Sequence, residues 1–227
     1  MPEGPSILIL KNLLLPLKGT TIVHAKGNAK INMNLLTDAT IMDIRTFGKQ
    51  LFIVTNKNLS IRIHLLMFGT YSFDEQIRQD RSVRLCLELQ GKTVYFYTCS
   101  VRLIEGNIEK LYNWRSDVLS DAWDPKYTRK KVKEHPEMMA CDALMNQEIF
   151  TGVGNIIKNE VLFRIKLHPE TLIKNIPPRK LTELINESRN YSFDFLKWKQ
   201  AYVLKKHWLA HTKKTCVHQV EHKCPGR

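Results

Sequence analysis

The hydrophobic pattern changes its period once along the chain, and this change limits the folds available to it. Between Thr20 and Glu105, apolar and polar residues alternate with a period of two in short runs separated by turn signals such as Gln90-Gly91-Lys92. Alternation of this kind is typical of strands with one buried face. The predicted strands are Thr20–Ala25, Thr40–Phe47, Leu51–Thr55, Leu59–His64, Val83–Gln90 and Lys92–Thr98. Many short, evenly spaced strands indicate an antiparallel sandwich or barrel.

Helical periodicity flanks this β region on both sides. The predicted helices are Ser6–Leu15, Ala140–Phe150, Asn155–Arg164 and Pro178–Leu204. The pattern lapses between Asn113 and Lys133, where the basic run Arg129–Lys133 suggests a connector. We therefore predict an α+β chain with two domains. The expected divisions are a β-rich domain at 1–115, a linker at 116–133, a helical domain at 134–211 and a C-terminal segment at 212–227.

The charge balance points to a polyanionic partner. Lys and Arg total 35 against 22 Asp and Glu, which gives 35 − 22 = +13. Nucleic acid is the partner that such a surplus favours, and the alternative is charge that serves solubility only. The longest apolar run is too short and too interrupted for a membrane span or signal peptide. Five cysteines, an odd number, argue against a disulfide framework and predict a reducing, cytoplasmic (nucleoid) or nuclear location.

The first residues, Met-Pro-Glu-Gly-Pro-Ser, can carry covalent chemistry. If Met1 is removed, Pro2 presents a secondary amine, and an α-amino group titrates at about 7.7–8.0, so part of it is nucleophilic near neutral pH. A secondary amine and an aldehyde give a cationic iminium, which accepts electrons, and Glu3 beside it can move protons. The alternative is an ordinary start in which Pro2 and Pro5 only stiffen the entry to the helix.

A turn with two glycines in the C-terminal half predicts a phosphate-binding site. Gly152-Val153-Gly154 separates two predicted helices, and Asn155 opens the second one. Free N–H groups, the positive end of the helix dipole and an Asn side chain suit an anion. The alternative is a helix–turn–helix whose glycines serve packing only.

Together these motifs resemble the formamidopyrimidine/endonuclease VIII family of DNA glycosylases. The resemblance rests on the segment 1–5, on Phe47-Gly48-Lys49 between two strands, and on Leu144-Met145-Asn146-Gln147 leading into Gly152–Asn155. Leu167-His168-Pro169 fits as well, and Gly4 leans toward the endonuclease VIII branch. The resemblance implies an N-terminal helix with a β-sandwich, a helical domain with a helix–two-turn–helix motif, and DNA bound in a basic cleft.

The resemblance also assigns roles at the reacting sugar. Pro2 would attack C1′ and expel the base, Glu3 would exchange protons at the sugar, and Lys49 would contact the phosphate beside the lesion. The expected activity is that of a bifunctional glycosylase and abasic-site lyase of base excision repair. It would remove oxidised bases, pyrimidines above all, and cleave the strand by β,δ-elimination. The alternative is a protein of the same fold that binds damaged or structured DNA without cutting it.

Further residues would hold the DNA. His64 and Arg102 would approach phosphates, and Met67 would fill the gap left by the flipped nucleotide, the alternative for Met67 being core packing. Val101 stands where many relatives have an arginine, which predicts a loose opposite-base preference. The expected partner is double-stranded DNA with a damaged base or abasic site, bound by a monomer. Single-stranded DNA stays open as a second substrate.

The C-terminal segment departs from the family pattern. Relatives carry a finger that holds zinc through two Cys-x-x-Cys pairs, but here Gln219 follows Cys216 where the second cysteine would stand. Tetrahedral zinc needs four ligands. The remaining candidates are Cys216, His218, His222 and Cys224. The segment is therefore a zinc-binding element, an incomplete finger or a basic tail, and these three alternatives remain. Arg227 is not assigned the role of the arginine that reaches the DNA from the finger. The chemistry itself is expected to need no cofactor.

Overall fold

The computed structural model describes residues 2–213, and two units divide the chain, at 1–113 and 114–227. The first unit contains eight strands, in two four-stranded antiparallel sheets. The strands are β1 (Ile22–Lys26), β2 (Ile41–Phe47), β3 (Gln50–Thr55), β4 (Leu59–His64), β5 (Thr70–Phe73), β6 (Val83–Leu89), β7 (Lys92–Tyr97) and β8 (Ser100–Glu105). One sheet has the order β1-β6-β7-β5 and the other β2-β3-β4-β8. The predicted antiparallel β architecture is confirmed.

One large apolar core joins the two sheets and the N-terminal helix. Helix α1 (Gly4–Leu14) begins with Pro5 in its first turn, where the missing N–H of proline costs nothing. Its residues Ile7, Leu10 and Leu14 lie on one face and are buried against apolar residues of both sheets. The start of the chain is therefore fixed to the sandwich. A short helix, α2 (Ile108–Leu111), ends the unit.

The second unit is helical around a core of its own. Its helices are α3 (Pro125–Lys133), α4 (Ala140–Met145), α5 (Asn155–Arg164) and α6 (Pro178–Gln200). Buried side chains of α4, α5 and α6, such as Leu144, Val161 and Leu184, form this core. Within the described part of the chain, no helix has the length and apolar character of a membrane span.

The segment 116–133, predicted as a linker, belongs to the second unit instead. Asp124 caps α3 by accepting hydrogen bonds from the N–H groups of Lys126 and Tyr127. Thr128 and Val132, one turn apart, are buried. The basic side chains that suggested a connector cover the exposed faces of this helix.

Other element boundaries also differ from the sequence expectation. The helix predicted to reach Phe150 ends at Met145, because the Asn146 side chain accepts a hydrogen bond from the Glu148 N–H and its backbone is extended. The long helix ends at Gln200 rather than Leu204, and Tyr202 is left-handed (φ 59°). Strands β5 and β8 are absent from the predicted strands, because four or six residues between turns give too short a pattern to stand out.

Candidate active site

Pro2 and Glu3 lie directly before helix α1 in the first unit. Glu3 is the extended residue before α1 (φ −115°, ψ 174°), and its carbonyl oxygen accepts hydrogen bonds from the N–H groups of Ser6 and Ile7, at 2.8 and 3.3 Å. The side chain of Glu3 is fully buried, whereas Pro2 is half-exposed. A half-exposed proline thus directly precedes a buried carboxyl group at the start of α1.

Lys49 lies at the tip of the β2–β3 hairpin, in the same unit. The turn has two central residues, and Gly48 is the first of them with a left-handed φ of 54°, as a tight hairpin turn requires. Burial lowers the pKa of Lys49, and the charge of Glu3 acts in the opposite direction. Although 46 residues separate them in sequence, the fold brings Glu3 and Lys49 close enough to interact.

His64 is the last residue of β4 and lies close enough to Lys49 for the two side chains to interact. Its register partner on β3 is Gln50, the residue after Lys49. Nδ1 of His64 accepts a hydrogen bond from the Leu66 N–H at 3.0 Å, so in the neutral ring the proton is on Nε2. Burial, and then the charges of Arg62 and Lys49, lower the pKa of His64. His64 therefore offers a neutral N–H donor at physiological pH.

An apolar loop tip follows His64. The Gly69 N–H donates to the Leu65 carbonyl at 2.7 Å and closes the turn, and a Cβ at Gly69 would clash with that oxygen. Leu65 is buried and anchors the loop, whereas Met67 and Phe68 are 58% and 72% exposed. The alternative of core packing for Met67 is thus excluded, and a rigid turn presents apolar side chains to solvent.

Arg102 is an exposed residue in the middle of β8. Its register partner on β4 is Arg62, two residues before His64. Residues of a strand two positions apart share a face, so His64, Arg62 and Arg102 are on the same side of this sheet. Sequence reasoning missed Arg62, although its spacing from His64 was a usable signal.

In the second unit, the glycine turn leads directly into α5. Gly152 has φ of 100°, and Asn155 is the first residue of the helix. The Gln147 side chain accepts from the Gly152 N–H at 3.1 Å and donates to the Val153 carbonyl at 3.0 Å, which fixes the turn. Lys158 Nζ donates to Asn155 Oδ1 at 3.0 Å. A cation so close to a helix N-terminus opposes the dipole and adds to its attraction for anions.

Glu160, further along α5, holds the last described segment of the chain. Its carboxylate is fully buried and accepts hydrogen bonds from the backbone N–H groups of Leu209, Ala210 and His211, at 2.8 to 3.0 Å. One helix therefore carries Asn155 at its start and anchors residues 209–211 near its end. Nothing in the sequence pattern indicated this role, because the partners are backbone groups about 50 residues away.

The proposed zinc ligands lie outside the described residues, as does Arg227. These ligands are Cys216, His218, His222 and Cys224. Within residues 2–213, no group of three or more His, Cys, Asp or Glu side chains could hold a metal ion.

Two family models match the chain. The model of the formamidopyrimidine-DNA glycosylase N-terminal domain matches residues 1–103, and that of the formamidopyrimidine-DNA glycosylase H2TH domain matches residues 115–191. A β-sandwich preceded by a buried helix that starts directly after Pro2-Glu3, together with a helical unit of this kind, defines the helix–two-turn–helix class of DNA glycosylases. The chain belongs to the formamidopyrimidine/endonuclease VIII family within this class.

Curated relatives come from both branches of the family. The chain is 27% identical over 221 residues to endonuclease 8-like 3 of Mus musculus, which covers 94% of this chain and 36% of that protein. It is 25% identical over 210 residues to the formamidopyrimidine-DNA glycosylase of Rickettsia bellii, at 84% and 76% coverage. The chain thus spans about a third of the length of the endonuclease 8-like 3 proteins.

Solved structures share the fold. A viral DNA glycosylase superposes with a TM-score of 0.83 at 19% identity, over 96% of this chain and 92% of that one. The Lactococcus lactis formamidopyrimidine-DNA glycosylase, non-covalently bound to DNA that contains an abasic site, gives 0.83 at 18% identity, over 96% and 92%. These similarities confirm the predicted fold class.

Proposed function

We propose that the chain is a DNA glycosylase with abasic-site lyase activity that acts through Pro2 in base excision repair. The observation that carries this proposal is the grouping of three side chains in the first unit. A half-exposed Pro2 precedes the buried Glu3, and Glu3 interacts with Lys49, whose pKa burial lowers. A nucleophilic amine, a carboxyl group and a lysine are the groups that imine chemistry at a sugar needs.

The proposed reaction starts when Met1 has been removed. The lone pair of the Pro2 nitrogen attacks C1′, and the bond from C1′ to the damaged base breaks. The base leaves with that electron pair and is neutralised by the proton that the Pro2 nitrogen gives up. The nitrogen lone pair then forms a double bond to C1′ as the bond from C1′ to the ring oxygen breaks, and Glu3 protonates that oxygen, which leaves a cationic iminium between Pro2 and C1′. Loss of a C2′ proton expels the 3′ phosphate, loss of a C4′ proton expels the 5′ phosphate, and water hydrolyses the iminium, which releases Pro2 and leaves the sugar fragment as an aldehyde. None of these steps calls for a cofactor.

The remaining residues fit the binding of a distorted DNA strand. In the first unit, His64 offers its Nε2–H to a phosphate oxygen, and the exposed Met67 can occupy the space that a flipped nucleotide leaves. In the second unit, Asn155 and Lys158 at the start of α5 provide a further seat for a phosphate. The proposed partner is duplex DNA with an oxidised base or an abasic site.

Substrate preference follows from two positions. Gly4 favours the endonuclease VIII branch, and we therefore place oxidised pyrimidines first among the substrates. Val101 is buried in the sheet rather than presenting a charged side chain to the opposite base. The opposite-base preference should accordingly be loose, and oligonucleotides with each of the four bases opposite the lesion will measure it.

Borohydride trapping tests the proposal. The protein is incubated with abasic-site DNA and sodium borohydride, and the covalent product is digested and mapped by mass spectrometry. We expect one adduct, on a peptide that begins with Pro2. Pro2→Gly should abolish most of the trapping, whereas Pro16→Gly, the same change at an exposed position after α1, should not. A wild-type protein that binds abasic DNA but neither traps nor nicks it would support non-catalytic DNA binding instead.

A further inference from the structure

We propose that Arg62, together with Arg102, forms a paired phosphate-binding subsite for the DNA backbone. The two residues are register partners on the adjacent antiparallel strands β4 and β8. Side chains of directly opposed residues project from the same face, about 5 Å apart at their Cβ atoms. The fold therefore places two guanidinium groups side by side.

This arrangement leaves positive charge uncompensated. Like charges directly opposite each other destabilise a sheet. The arginines Arg45, Arg115 and Arg179 have carboxylate partners. In the part of the chain that the structure describes, neither Arg62 nor Arg102 has an ion pair with Asp or Glu. Arg62 is half-buried, so solvent screens its charge less than that of a fully exposed residue. An anion between the two arginines would remove the repulsion.

The surroundings identify the anion as a phosphodiester. Arg62 lies close enough to His64 to affect its ionisation, and Lys49 acts on the same imidazole from the hairpin tip. The arginine pair thus adjoins His64 and Lys49, and Lys49 in turn interacts with Glu3. A guanidinium fork binds two oxygens of one phosphate, which is the unit that repeats along a DNA strand. The inference rests on the proposed function, since it takes the DNA strand to pass His64.

Three variants separate this subsite from a general charge effect. Arg62→Gln removes the charge, Arg62→Lys keeps it but loses the two-pronged geometry, and Arg78→Gln removes one charge from the connection between β5 and β6 in the other sheet. Binding to duplex DNA with a tetrahydrofuran abasic-site analogue is measured as a function of salt concentration. The same proteins are unfolded by urea without DNA.

Arg62→Gln should weaken binding about five- to thirtyfold and reduce the slope of log affinity against log salt by about 0.9, the loss of one phosphate contact. Arg62→Lys should keep the slope and lose part of the affinity. Arg78→Gln should match the wild type in both. Without DNA, Arg62→Gln should be at least as stable as the wild type, because it relieves repulsion, which a purely structural role of Arg62 would not produce.

The subsite is refuted if Arg62→Gln and Arg78→Gln bind with equal affinity and equal salt slope, or if Arg62→Gln unfolds at lower urea. This outcome is distinct from failure of the proposed function. A wild-type protein that cannot be trapped by borohydride would overturn the lyase, yet a reduced salt slope in Arg62→Gln would still support the phosphate subsite.

Discussion

Replacing Glu160 by Gln should destabilise the second unit strongly. The fully buried carboxylate accepts three backbone N–H groups, and Leu209 N–H is shared between its two oxygens, at 3.0 and 2.9 Å. Hydrogen bonds to a charged acceptor contribute about 1.5–3 kcal/mol, and those to a neutral acceptor about 0.5–1.5. Three bonds that each lose about 1 kcal/mol give about 3 kcal/mol. In addition, the amide NH₂ of Gln only donates hydrogen bonds, so it cannot accept one from a backbone N–H.

Tryptophan fluorescence measures the unfolding of the second unit separately from that of the first. All four tryptophans, at positions 114, 123, 198 and 208, lie in the second unit. With a urea slope of about 2 kcal/mol per M, the loss corresponds to a midpoint about 1.5 M lower. Glu183→Gln is the matched control in the same unit, because Glu183 is on the surface of α6 and its ion pairs with Arg179 and Lys180 are solvated.

The urea midpoints of Glu160→Gln and Glu183→Gln test whether the buried hydrogen bonds stabilise the unit. Glu183→Gln should leave the midpoint unchanged within error. If Glu160→Gln also leaves it unchanged, then the hydrogen bonds to residues 209–211 do not stabilise the unit, and the argument from a buried charged acceptor is wrong. If both variants shift equally, the effect is one of net charge and does not arise from these bonds.

Three further predictions concern ionisation. In an NMR titration of dimethylated lysines, the pKa of Lys49 should lie below the ordinary lysine value, and Glu3→Gln should lower it further because a negative charge is lost; a Lys49 pKa that rises in this variant would contradict the geometry. The pKa of His64 should lie below that of a free histidine and rise in Arg62→Gln, because removing a cation favours the imidazolium; no change would show that the two side chains do not interact. Burial raises the pKa of Cys99 to about 12, so iodoacetamide at pH 8 should label Cys99 only after unfolding, and rapid labelling of the native protein would contradict its burial.

Most of the longer strands and helices could be predicted from the sequence because they depend on local periodicity. Strand β4 was placed at its observed limits, Leu59–His64, and helix α5 at Asn155–Arg164. Both segments combine a clear pattern with strong end signals. Helix α3 was missed because only Thr128 and Val132 are buried in it, and two residues do not set a period against a run of basic ones.

The candidate site could be predicted only in part. The resemblance pointed to Pro2, Glu3 and Lys49, and the structure places Lys49 where its charge interacts with Glu3. The roles of Pro2 and the other predicted site residues stay predictions until they are tested. Met67 is exposed on a turn that Gly69 closes, which excludes its packing in the core. Glu160 was not predicted, because its partners are backbone groups about 50 residues away. Arg62 could have been found from its spacing to His64, but its pairing with Arg102 depends on strand register.

What the sequence determined by itself was therefore the kind of element at most positions, the net charge of +13 and the turns that glycines permit. The tertiary structure decided which side chains meet. Strand register sets Arg62 opposite Arg102, and helix packing brings Glu160 to the backbone of Leu209. The physical reason is that periodicity arises from neighbours along the chain, whereas a site is made by contacts that only the packed core brings together.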